Sequence, residues 1–151
     1  MSFWNQLKEQ AGTLAKNLGT EVTKFKNNDF AAASMAVCAL IAAADGSIEP
    51  TEKQKTTALI MNNSVLSIFT PSDLKVKFDH FCDKLNADFD FGKIEAIQAI
   101  AKLKSKPDQA RAIIQIGIII GSSDGHFDDS EKKALKEACL AVGINPTEYE
   151  L

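Results

Sequence analysis

The sequence predicts an all-α protein, a compact bundle of about seven helices in which one helical hairpin occurs twice as an internal pseudo-twofold repeat. Three observations point to this class. Apolar residues recur at three-and-four spacing along most of the chain, and no segment alternates convincingly as a strand. Gly, Pro, Asn, Asp and Ser punctuate the sequence at helix-length intervals. An acidic phrase occurs twice, as Asp45-Gly46-Ser47-Ile48-Glu49-Pro50-Thr51-Glu52-Lys53 and as Asp124-Gly125-His126-Phe127-Asp128-Asp129-Ser130-Glu131-Lys132, at an offset of 124 − 45 = 79 residues. A long apolar stretch precedes each copy and a charged amphipathic one follows it.

The elements follow in order. Phe3, Trp4, Leu7, Ala11, Leu14, Ala15 and Leu18 form one face of an amphipathic helix over residues 2–18, with Gly19 as its stop and a polar linker to Asn28. The expected organisation is therefore an N-terminal helix and linker, 1–28, ahead of a helical domain, 29–151. The first helix suits either a membrane or partner surface or its own domain; its few lysines favour the domain. Asn28 or Asp29 can cap the next helix, which runs through an Ala-rich stretch to Ala44 and is apolar on most sides. It is too short to span a bilayer, which takes about 20 apolar residues. Pro50 opens a third helix to about Asn62.

Thr70, Pro71, Ser72 and Asp73 read as a capping-box start for a helix through Leu74, Phe78, Phe81, Cys82 and Leu85. An Asp-Phe-Asp-Phe-Gly turn leads to a fifth helix carrying Ile94, Ile97 and Ala101. Ser105, Pro107 and Asp108 start a sixth, rich in isoleucine from Ile113 to Ile120. That run is too long for an ordinary strand. The seventh spans about Asp129 to Val142, with Gly143 as its C-terminal cap and at most one further turn beyond.

With 151 residues the chain suits one domain or two closely packed halves. Apolar residues at 45% and charged ones at 25% exclude disorder. A net charge of −3 without a Lys/Arg cluster excludes a nucleic-acid footprint and favours cations as small partners. Cys38, Cys82 and Cys139 form no Cys-x-x-Cys pair and read as reduced thiols. A thiol that captures a metalloid or oxidant would need a low pKa and exposure. The amino terminus lacks a secretory signal, so a cytoplasmic location is expected. No H-E-x-x-H, G-x-S-x-G or phosphate-loop motif appears, so catalysis is not expected.

The chemistry lies in the repeated phrase. In an EF-hand loop, Gly at position 6 makes the turn and Glu at position 12 closes the calcium cage. Gly46 and Glu52 keep that spacing, as do Gly125 and Glu131, but Ile41, Ala43 and Ile120 fall at upstream ligand positions and cannot coordinate calcium. A true EF-hand is excluded. Pooling of Asp45, Glu49, Glu52, Asp124, Asp128 and Glu131 from two elbows would instead give one all-oxygen site, for calcium first and magnesium or manganese next, ahead of zinc. Much of the phrase is also helix punctuation: Gly after one helix, Glu49 or Asp128 at the next cap, Glu52 or Glu131 in a capping box. Asp45 and Asp124 are left over, because the macrodipole disfavours acids at helix C-termini. His80 reads as a core-covering or solvent-facing residue. His126 has Ser47 as its repeat equivalent and so no symmetric ligand role.

Two D-G-x-[I/F]-[E/D]-x-[T/S]-E-K phrases in an all-helical chain of this length resemble the TerB family of tellurite resistance proteins. The resemblance implies a compact helical fold with acids clustered on one face, metal-ion binding rather than catalysis, and a role in tellurite resistance with related protection against phage and colicins. It further implies TerC-like membrane and TerD-like calcium-binding partners at the cytoplasmic face of the inner membrane. A metal-independent interaction scaffold is the alternative, and a tellurite-reducing thiol enzyme a third.

Overall fold

The computed structural model describes residues 3–123 and 127–151, and the side chains of all of these except 5, 8, 10 and 11. Among the described residues there are seven α-helices and no strand: α1 (Phe3–Val22), α2 (Asn28–Ala42), α3 (Pro50–Met61), α4 (Pro71–Ala87), α5 (Phe89–Ala101), α6 (Pro107–Gly121) and α7 (Asp129–Val142). Short 3₁₀ turns follow α3 and α7, at Ser64–Leu66 and Pro146–Tyr149.

Helix α2 is the hub, packed against α4, α5, α6 and α7. Its small side chains let neighbours approach on several sides, and Phe30 and Met35 fill the space between them with no exposure. Ile113, Ile114, Ile116 and Ile118 of α6 are buried as well. Gly117 sets the α2–α6 distance: a Cβ there would lie 2.5 Å from Val37 Cγ1 and 3.0 Å from Ile41 Cδ1. The hairpins α2–α3 and α6–α7 meet along α2 and α6, and each inner helix also touches the other hairpin's outer helix. A twofold repeat gives that crossed pattern.

Several helix ends differ from the sequence expectation, each for a physical reason. Helix α1 runs through Gly19 to Val22 because Leu18 and Val22 are buried. Tertiary burial outweighs the cost of a mid-helix glycine, about 1 kcal/mol. The expected linker is thus partly helix, and Phe25 within it is buried against Phe30. Asn27 caps α2 instead of Asn28 or Asp29, its side chain accepting the Phe30 N–H at 2.8 Å. Thr70 forms no capping box, because Asp73 pairs with Lys77 at 2.7 Å. The stretch 88–92 is the first turn of α5, capped when Asp88 accepts the Phe91 N–H. Gly143 ends α7 at φ 75°, as its sequence position indicates.

Helix α1 docks onto the domain: Leu7 is buried, and Phe3, Trp4, Leu14 and Ala15 pack on the core. No helix among the described residues is long and apolar enough to cross a membrane.

Candidate functional site

The two elbows line one cavity of about 310 Å³. Its apolar lining repeats the hairpin symmetry: Ile41 and Ala42 from the end of α2 face the same space as Ile120 and Gly121, their equivalents at the end of α6. Its acids come from both copies, Asp45 and Glu52 from the first and Asp128 and Glu131 from the second. Lys55, Thr56, Ser123 and Ser130 add one cation and three hydroxyls.

In the first elbow, α2 ends at Ala42 and the chain turns through Gly46 at φ 109°, a left-handed conformation open to glycine. Asp45 Oδ1 accepts the Ser47 N–H at 3.4 Å, so this aspartate has a weak local role besides its place at the cavity. Glu49 holds the N-cap position of α3 without a side-chain cap bond; it is exposed and does not line the cavity. Pro50 supplies the first helical residue, and Glu52 in the first turn reaches the cavity.

After the second elbow, the start of α7 carries more side-chain bonds than the start of α3. Asp128 caps α7 in a full capping box: its Oδ1 accepts the Glu131 N–H at 2.8 Å and the Ser130 hydroxyl at 2.7 Å, while Glu131 Oε1 accepts the Asp128 N–H at 3.1 Å. The Ser130 hydroxyl and then the Glu131 N–H hold the Asp128 carboxyl below the usual carboxylate range. Asp124, Gly125 and His126 lie outside the described residues.

Four of the six sequence-predicted ligands therefore share one cavity, Glu49 does not, and Asp124 is not described. The donors are hard oxygens, suited to calcium, magnesium or manganese. Among the described residues, however, no three His, Cys, Asp or Glu side chains are arranged to hold one ion. The cavity volume is about ten times one water's share of roughly 30 Å³. Sequence reasoning missed Lys55, although it lies three residues after Glu52 on the same helix and so faces the same way.

The remaining candidates sit apart from this chemistry. All three cysteines are buried and unpaired, and burial pushes each thiol up to about 12. None has the thiolate character that metalloid capture requires. His80 is exposed on α4 and pairs with Glu95 of α5.

Comparison with known proteins agrees with the elbow phrase. The profile of the family described as "Tellurite resistance protein TerB" matches residues 31–151. A curated relative, the tellurium resistance protein TerB of an Alcaligenes species, is 29% identical over 118 residues, covering 78% of this chain and 97% of its own. No solved structure matches the chain significantly. The family match takes in both elbows and six of the seven helices, and on it this chain belongs to the TerB tellurite resistance family.

Proposed function

We propose that this protein is a non-enzymatic, divalent-cation-binding component of a tellurite-resistance system, and that the elbow cavity is its cation site. The observation that carries the reading is that acids 79 residues apart in sequence line one cavity. Lys55 offsets part of the negative charge of the lining, and a hydrated cation would offset the rest. Asp45, Glu52, Asp128 and Glu131 would hold the ion, partly through water, with Asp124 as the repeat equivalent of Asp45. When bound, the cation supplies charge that ties the two hairpins together. Calcium is the first choice, magnesium and manganese the next. A cytoplasmic location and docking to TerC-like membrane and TerD-like calcium-binding partners are proposed on family likeness alone, as is protection against phage and colicins.

One observation favours a metal-independent scaffold instead: Val76, Phe91, Ile94 and Leu140 are large apolar residues left mostly exposed on α4, α5 and α7. Calorimetric titration of calcium, magnesium and manganese separates the two readings. The cation reading expects binding to the wild type and at least tenfold weaker binding to an Asp45→Asn, Glu52→Gln double variant. Absence of heat with all three ions in the wild type favours the scaffold.

A further inference from the structure

We propose that Trp4 is a positioning residue for the second elbow, which makes α1 part of the cavity's machinery although it lies outside the family-matched span of residues 31–151. The proposal deepens the cation-site reading, and its first test does not depend on it.

The indole of Trp4 stacks on Phe127 at 4.9 Å between ring centroids and 27° between planes. Lys132 Nζ lies 5.0 Å from the centroid of the indole ring. Phe127 and Lys132 bracket Asp128 and Glu131 in sequence, so one side chain grips both ends of the segment that carries the second elbow's cavity acids. Phe127 also rests on Gly121, where a Cβ would lie 2.7 Å from its Cε2, and Gly121 lines the cavity. The indole is held from behind: Phe3 meets it edge-on at 5.3 Å, packs on Tyr149 at 5.5 Å, and donates its backbone N–H to the Glu150 carboxylate.

The first elbow is braced at the same two phrase positions by other means. The Ile48 N–H donates to Asn86 Oδ1 at 2.9 Å, and the Ile48 carbonyl accepts from Asn86 Nδ2 at 3.2 Å. Lys53 pairs with Asp79 at 3.4 Å and Asp83 at 3.5 Å. Ile48 and Lys53 are the repeat equivalents of Phe127 and Lys132. Each copy of the phrase is thus held at its apolar residue and its lysine, by α4 in one case and by α1 in the other.

The test compares wild type, Trp4→Ala and Trp4→Phe by amide hydrogen exchange without added cation, followed by manganese titration. Loss of a stack and a cation–π contact is expected to speed exchange across 127–132 by roughly tenfold in Trp4→Ala. Residues 48–53 should stay unchanged as the internal control. Trp4→Phe, which keeps an aromatic stack, should restore most of the protection. Manganese affinity should fall in Trp4→Ala and recover in Trp4→Phe. Unchanged exchange at 127–132, or equal acceleration at both elbows, overturns the proposal. So does manganese affinity equal to wild type in Trp4→Ala. If wild type binds no manganese, calcium and then magnesium replace it in the titration; silence with all three sinks the cation reading, and the exchange result alone then decides the role of Trp4.

Discussion

Replacing Asp128 with alanine and with asparagine separates its work for the helix from its work for the cavity. The carboxylate accepts the Glu131 N–H and the Ser130 hydroxyl, and it sits at the positive end of the α7 dipole. Asp128→Ala orphans both donors and costs about 0.5–2 kcal/mol. Asp128→Asn keeps an acceptor oxygen and gives up only the charge, worth about 0.3–1 kcal/mol at an exposed helix start. In a chain of this length 1 kcal/mol moves the melting temperature by about 2–4 °C. Thermal melts at pH 7 in chelator should therefore rank wild type, Asp128→Asn and Asp128→Ala in falling order. Because the folded-state pKa of Asp128 is depressed, its contribution is present above the ordinary Asp value of 3.8 and is lost as the pH falls through the folded pKa. The gap between wild type and Asp128→Asn should hold from pH 7 to about 5 and close below the ordinary Asp range. Equal melting of the two variants, or a gap unchanged at low pH, refutes the capping assignment. With saturating calcium the wild type should gain stability and both variants less, since binding to the folded state alone raises it by mass action.

Three further outcomes follow from the packing. Gly92→Ala places a Cβ 2.5 Å from the Leu85 backbone nitrogen, so α4 and α5 must splay; urea unfolding should report a loss of about 1–3 kcal/mol, and a loss below about 0.5 would contradict the close approach. With thiols near 12, only about one in ten thousand is ionised at pH 8, so iodoacetamide should leave the native protein unlabelled by intact mass and label all three cysteines in guanidinium. Asn86→Ala removes both bonds to Ile48 and should cost about 1–2 kcal/mol in urea, with faster exchange confined to the first elbow.

The helices were legible because burial wrote their period into the sequence. The isoleucine run of α6 needed only its length to assign, and the Gly143 cap only a glycine placed just past the last apolar position of α7. Helix ends were harder where short-range rivals decide. Asn27, Asn28 and Asp29 are all fit caps, and only the fold's approach to Phe30 selects the first. Asp73 could have capped α4 but finds Lys77 one turn on. The 79-residue repeat marked two equivalent elbows but not whether they meet, because a twofold relation also allows equal phrases to lie at opposite ends; the packing of α2 on α6 brings them to one cavity. Nor was their inequality legible. Pro50 and Asp129 occupy equivalent positions, yet only the second copy closes a side-chain capping box. Trp4 and Asn86 carry no sequence signal for their elbows, because the contacts join residues 123 and 38 positions apart in two unrelated ways.

The contact of Phe3 with Glu150 spans 147 residues. Closing a loop that long costs entropy growing only as the logarithm of its length, but nothing is regained until the surfaces at both ends exist. Only the Phe3 end of α1 waits on Tyr149, since the rest of the helix seats on the Ser64–Leu66 turn and on α6. The Phe3 end is therefore expected to dock late and open early, with fast amide exchange in the first turn of α1 as the check. The same contact brings Phe3 and Glu150 to one place. A short peptide joining them should let the chain be cut open at a distant surface turn without loss of the helical core, whereas a bulky fusion at either end would press on the seat of Trp4.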